Sequence, residues 1–271
     1  MSWKTPGRKL TWADWPVPGN GVKNKNSTSD EGTNDILRVT KELENHGIPC
    51  CLVGISALIF YGALRVRPDW EICVPTELVD DAAKLLRSNQ YTEDWHPTEP
   101  WPYYDKSLVW SYHRFKGKRL NYYFVLVPSR DVHLVCDPAN FTRSVRGLPY
   151  PKLDVFIQST LDMYNDLQLV DVVDGTNVSE EWGEEHLDLD GDTDTKWAED
   201  LNKRGAQLAG NRFGAITSYA NSMPASKRRL WQEAVRTKEK RLDWTKPKEV
   251  YVTQYRFRDE PDPWTVLSDS Y

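Results

Sequence analysis

Between Cys51 and Thr76 the chain reads CLVGISALIFYGALRVRPDWEICVPT, an order of elements that few folds accommodate. The apolar segment from Pro49 to Val53 is too short for a helix and stops at Gly54; the stretch 56–64, rich in Ala and Leu, suits a buried helix. Ser56 is a favoured residue type for its N-cap, and Gly62 with the Arg65–Pro68 segment ends it. Trp70, Ile72 and Val74 then alternate with Asp69, Glu71 and Cys73, the period of a strand. Asp69 and Glu71 thereby share one strand face. Turn, helix, strand and paired acids in this order build a site.

These residues, Gly54-Ile55-Ser56 and Asp69-Trp70-Glu71, resemble the signature of the nucleotidyltransferase-fold superfamily, over about residues 36 to 127. The resemblance implies an α+β fold: a small mixed β-sheet of nucleotidyltransferase-like type with flanking helices, followed by a mainly helical C-terminal half. It also implies that Asp69 and Glu71, with a third carboxylate on a later strand, hold magnesium against a nucleoside triphosphate, while Gly54 and the helix N-terminus meet phosphate. This chain departs from the pattern in three places. Ile55 stands where a second small residue is usual, the second acid is Glu, and the expected third strand, KRLNYYFVLVP from Lys118 to Pro128, carries no acid. Asn121 stands where one would be expected. Two hard oxygen ligands make a weak magnesium site.

Composition sets the wider bounds. A chain of 271 residues with 39% hydrophobic and 12% aromatic content is globular. No run approaches the roughly 18 apolar residues of a membrane span, and the start MSWKTPGRKLTW lacks the apolar centre of a signal peptide. A cytoplasmic protein without membrane or disulfide-linked partners is the expectation. Cys50, Cys51, Cys73 and Cys136 show no paired metal-ligand spacing along the chain and read as reduced core residues.

The chain divides into a flexible N-terminal arm (1–32) carrying Trp3, Trp12 and Trp15, an α/β core (33–150), a helical region (151–245) and a tail (246–271). Within the core, helices are predicted over 34–45 and 77–88, and a hairpin from segments 108–115 and 120–127 joined at Lys116-Gly117-Lys118. Residues 132–136 offer a further strand. Beyond Pro151 the period becomes helical, at 153–161, 167–173, 194–208 and 224–241. Glu180, Glu181, Glu184 and Glu185 suit the first turns of another helix.

Charge is uneven beneath the net value of −5. Residues 162–200 hold fourteen acids and one base; residues 203–258 hold fourteen bases and four acids. Lys227, Arg228, Arg229, Arg236, Lys240 and Arg241, interleaved with aromatic residues, form a candidate RNA-binding surface. The alternative is that the acidic and basic stretches pair with one another. The run DLDGDTDTKWAED places Asp188, Asp190, Asp192 and Asp194 at calcium-loop spacing, but Thr193 stands where the loop needs glycine, which favours a helix cap.

A nucleotidyltransferase-like site short of an acid, beside a cationic segment, is similar by circumstance, not by motif, to the fungal arginine-containing cyclodipeptide synthases. That likeness implies natural-product biosynthesis from aminoacyl-tRNA, with tRNA as partner and no cofactor, because an aminoacyl ester is already activated. Glu71 would serve as base, Ser56 would donate to the carbonyl or accept the acyl group, and Asp69 with Glu71 would grip an arginine guanidinium. Arg65, Arg67, Gly54 and Asn121 are candidate substrate contacts. The alternatives are metal-dependent nucleotidyl transfer through Asp69 and Glu71, using magnesium and a nucleoside triphosphate, and a catalytically silent binding protein on the same fold.

Overall fold

In a computed structural model of the chain, the residues described are 29–63, 65, 67–91, 93–100, 107–118, 122–210, 218–241, 251–253 and 256–257. Five short strands form the central sheet: β1 (Cys51–Leu52), β2 (Trp70–Val74), β3 (Trp95–Thr98), β4 (Arg114–Gly117) and β5 (Tyr123–Pro128). Their spatial order is β1-β2-β5-β4-β3. β2 and β5 run parallel and the remaining neighbours antiparallel, so the sheet is mixed.

Alternation along these strands sorts side chains into two cores. Leu52, Ile72, Val74, Phe124 and Leu126 enter the larger one. It is covered by α1 (Ser29–Asn45), α2 (Gly54–Phe60), α3 (Val79–Leu86), α4 (Leu153–Asp162) and α5 (Asp166–Thr176). Cys51, Cys73, Val125 and Val127 point the other way, toward Trp110, Tyr112, Leu134 and Leu201 of α7 (Thr195–Ala209). Glu71 continues this second row.

The local sequence explains most boundaries. α1 buries Ile36, Val39 and Leu43 completely, the spacing of one helical face, and ends before Gly47, whose φ of 75° suits a glycine stop. It reaches back to Ser29, inside the stretch read as an arm; residues 1–28, with Trp3, Trp12 and Trp15, lie outside the described residues. The helix expected at 56–64 is α2, which starts on Gly54 with Val53 at its N-cap and no side-chain cap. Ser56 is therefore not the cap: it sits within the first turn, buried. The segment 77–88 divides into a 3-10 turn, Thr76–Leu78, and α3.

The hairpin is shorter than its sequence pattern. Val109–Ser111 is a 3-10 turn closed by Ser111 Oγ donating to the Leu108 carbonyl at 2.7 Å. It inserts Trp110 and Tyr112 into the second core, and pairing starts only at Arg114. Residues 132–136 form no strand; a small hairpin lies later, β6 (Phe141–Arg143) with β7 (Pro149–Pro151).

The C-terminal half adds α6 (Glu180–His186) and α8 (Lys227–Arg236) to α4, α5 and α7. Asn165, Ser179, Asp194 and Ser226 cap α5, α6, α7 and α8 by accepting backbone N–H bonds. Asp194 thus belongs to a cap and not to a calcium loop. The basic stretch lies against the acidic one: Lys227 pairs with Asp188 at 3.0 Å and Asp162 at 3.6 Å, Arg228 with Glu184 and Asp190, Arg236 with Glu180 at 2.5 Å, and Arg241 with Asp174. Four of the six cations set out for RNA have protein carboxylates as partners, while Arg229 and Lys240 are exposed. In the tail, β8 (Tyr251–Thr253) and β9 (Arg256–Phe257) form an antiparallel pair that the sequence pattern did not indicate. No helix among the described residues is long and apolar enough to cross a membrane.

Two expectations follow for stability. A Cβ on Gly175 would lie 2.6 Å from the Tyr61 carbonyl and 2.7 Å from the Ala63 nitrogen, both backbone atoms. Gly175→Ala should cost about 1–3 kcal/mol in urea unfolding by overpacking α5 against the end of α2. Arg236, Lys227 and His133 hold the carboxyls of Glu180, Asp188 and Asp194 below the usual range by hydrogen bonding. A depressed carboxylate stabilises the fold above its unfolded pKa and loses that contribution as pH falls through its folded value. The α6–α8 packing around Trp182 and Trp231 should therefore loosen below about pH 4, read as a change in near-UV circular dichroism that tracks acid and not alkali.

Candidate active site

The start of β2, the turn at Val53–Ile55 and the segment following β5 meet α5 and α7 around a cleft of about 830 Å³. Gly54 and Glu71 form its base. Gly54 has φ of 57°, and a Cβ there would lie 2.4 Å and 2.5 Å from the two carboxylate oxygens of Glu71. The acid is seated on the glycine α-carbon, so glycine is required twice, for its left-handed backbone and for this close approach.

Asp69 has a different fate from Glu71. Glu71 lies opposite Val125 in β5, and Val125 lies opposite Arg114 in β4, so the three side chains form one row across the sheet. From the end of that row Arg114 turns onto Asp69, donating from Nε at 2.7 Å and from Nη2 at 3.2 Å. Both residues are buried, at 8% and 5% exposure. The Arg114 guanidinium also lies over the Tyr123 ring, 3.9 Å from its centroid. The guanidinium partner that the sequence offers Asp69 from a substrate is supplied by the chain itself.

This arrangement does not fit the magnesium site implied by the resemblance. Both Asp69 oxygens accept from Arg114, and apolar Val125 lies beside Glu71 where a further carboxylate would be needed. Among the described residues no three carboxylates converge. A divalent ion would have to displace a buried, bidentate guanidinium.

A carboxylate does lie beyond the end of β5. Asp131, buried in the Ser129–Val132 turn, lines the cleft and accepts from Tyr112 Oη at 2.9 Å and Arg204 Nη2 at 2.6 Å. Burial, followed by the Asp131 charge, pushes the Tyr112 hydroxyl well above its ordinary pKa. Across the cleft, Arg65 donates to Asp171 of α5 at 2.7 and 2.8 Å, joining the loop after α2 to the helical half.

Of the residues singled out in the sequence, Gly54, Arg65 and Glu71 line the cleft. Asp69 is not among the lining residues and is held in the Arg114 pair. Ser56 is not among the lining residues; its hydroxyl is buried without a hydrogen-bond partner. Arg67 stacks on Trp70 at 3.2 Å from the ring centroid, and burial lowers its pKa. Asn121 lies outside the described residues. Arg114, Tyr112, Asp131, Asp171 and Arg204 were not singled out. Asp131 has a signal in the sequence, an acid three residues past the end of the apolar strand at Pro128; Arg114 has no local signal, because its partner is 45 residues away.

No protein-family model matches the chain, and no curated protein does. Among solved structures, the chain is similar to JHP933 from Helicobacter pylori, at 14% identity over 79% of this chain and 95% of that one, with a TM-score of 0.34. The antibiotic-resistance factor ANT(2'')-Ia is similar at 9% identity over 68% and 97%, with a TM-score of 0.34. A provisionally assigned nucleotidyltransferase from H. pylori is similar at 15% identity over 79% and 98%, with a TM-score of 0.33.

Arg114→Ala should destabilise the fold by about 3–5 kcal/mol, because it leaves Asp69 as an uncompensated buried charge. The double change Asp69→Leu with Arg114→Met should restore most of that loss in chemical denaturation, which separates the cost of breaking the pair from the worth of the pair.

Proposed function

We propose that the chain is a metal-independent transferase acting on an activated acyl group, with aminoacyl-tRNA as donor and a cyclic dipeptide as product. The observation that carries this reading is the Arg114 clamp on Asp69, which removes one of the two carboxylates a nucleotide-bound metal would need. The lining of the cleft supports it. Glu71, Asp131, Asp166 and Asp171 line the space, where Arg65 is paired with Asp171, and Arg130 and Arg204 with Asp131, fewer cations than acids. A triphosphate would meet net negative charge there, whereas an α-ammonium or guanidinium group would be attracted.

Glu71 is the base in this reading, taking a proton from the attacking amine. Nitrogen then bonds to the ester carbonyl carbon, the ester C–O bond breaks, and the tRNA 3′-oxygen leaves with a proton. The other amine then attacks the remaining ester carbonyl carbon, its C–O bond breaks, and the second tRNA leaves with a proton as the ring closes. Tyr112 and Arg204, both donors around Asp131, fix the opposite wall. Arg229 and Lys240, exposed on and after α8, remain available to a phosphate backbone; the paired cations contribute less than their number in the sequence implies.

The test is mass spectrometry of small products after incubation with total tRNA, synthetases, ATP and the twenty amino acids. Cyclic dipeptide should form, vanish on RNase treatment, and persist when preformed aminoacyl-tRNA is supplied with chelator. Glu71→Gln should lower the transfer rate by about 10²–10⁴. A nucleotide adduct that requires magnesium would overturn the reading in favour of nucleotidyl transfer, and the absence of any product that Glu71→Gln abolishes would favour a binding protein.

A further inference from the structure

The four cysteines show no ligand spacing along the sequence, yet the fold brings three of them together. The sulfurs of Cys51, Cys73 and Cys136 all lie within 4.8 Å of one another. Cys51 and Cys73 face each other across the β1–β2 ladder. Cys136 comes from the segment after β5, its thiol directed at the carbonyls of Pro49 at 3.4 Å and Cys73 at 3.7 Å. The two strand cysteines are buried and Cys136 is partly exposed, between exposed Val135 and Asp137. The cluster is therefore closed on the inside and approachable from one side. Cys50, adjacent in sequence, points into the other core.

We propose that Cys51, Cys73 and Cys136 form a three-thiolate binding site for copper(I). Soft sulfur ligands select soft cations, and the number of ligands discriminates among them. Zinc in a structural site takes four ligands in a tetrahedron, and among the described residues no histidine or carboxylate joins the three sulfurs. A three-coordinate thiolate set suits a monovalent copper ion. With metal–sulfur bonds of about 2.3 Å, a planar triangle places its sulfurs about 4.0 Å apart, so the observed cluster needs to contract by less than an ångström.

The position of the cluster gives such an ion a consequence. Cys51 is three residues before Gly54, Cys73 two after Glu71, and Cys136 five after Asp131. A bound ion would tie together three segments that line the cleft.

The experiment is an anaerobic titration of the full, reduced chain with copper(I) in competition with bicinchoninate, on the wild type and on Cys136→Ser, Cys51→Ser, Cys73→Ser and Cys50→Ser. One ion per chain should be withdrawn from the chelator, with an accompanying rise in Tm. Affinity should fall by about a hundred-fold or more in Cys136→Ser and stay unchanged in Cys50→Ser. Cys136→Ser alters a surface segment, so it decides the question should either strand variant fail to fold, with circular dichroism as the check. Copper left wholly with the chelator, equal binding by wild type and Cys136→Ser, tighter binding of zinc(II) than of copper(I), or a disulfide within the cluster of the unreduced protein would each overturn the proposal.

Discussion

The buried pair between Asp69 and Arg114 governs how the rest of the sheet can be used. A carboxylate and a guanidinium removed from water are costly unless each meets its partner with good geometry. Here both oxygens are engaged and an aromatic ring closes over the guanidinium. The pair bridges the entrance of β2 to β4 across the intervening β5. It therefore fixes the row in which Glu71 sits, and it converts half of an acidic motif from a ligand into a structural element. Glu71 is left as the carboxylate of that motif at the base of the cleft. This division of labour between two acids two residues apart departs from a metal clamp more directly than the absence of an acid from β5.

The second organising constraint is charge pairing across the C-terminal half. Net charge by segment suggests a polyanionic partner, but segment totals carry no spatial information. Once α6 and α8 are placed side by side, the cations of one meet the acids of the other. These pairs are largely exposed, so individually they contribute little at physiological salt. Arg241 on Asp174 is different, since this carboxylate of α5 is fully buried and the cation largely so. Burial already pushes the Asp174 carboxyl upward against the pull of that arginine. The pairs orient α8, while the buried face of Trp231, Ala234 and Val235 supplies its attachment.

Local signals in the sequence were sufficient for the strand–turn–helix–strand unit, for α1 with its glycine stop, and for the helical second half. Each of these is written in residue periodicity or in a glycine with positive φ. What the sequence could not show is contact over long separations. Ser56 has the chemistry of an N-cap, but the helix begins earlier because Gly54 is pressed against Glu71. Arg67 and Arg65 are equivalent in sequence, yet one stacks on Trp70 and the other crosses to Asp171. The segment 108–115 alternates like a strand, but the volume of Trp110 and Tyr112 is better buried by a turn into the second core. In each case tertiary packing overrode a local preference that was correctly identified.

The thiol cluster and the cleft share this dependence on the sheet. On one face of the sheet Glu71 looks into the cleft two residues before Cys73, and in the segment after β5 Asp131, which also lines the cleft, precedes Cys136, whose sulfur converges with those of Cys51 and Cys73. Displacement of any of the three segments would alter both groups together. Such coupling follows from strand geometry alone: a period of two places Cys73 on the same face as Glu71, and the parallel register of β2 with β5 carries that face across to the chain leading to Asp131. A one-residue slip in β2 would send Glu71 and Cys73 into the larger core and bring Ile72 to the cleft. The apolar pattern of that strand therefore protects the placement of its functional groups, because the same residues that stabilise the sheet also decide which way the acids face.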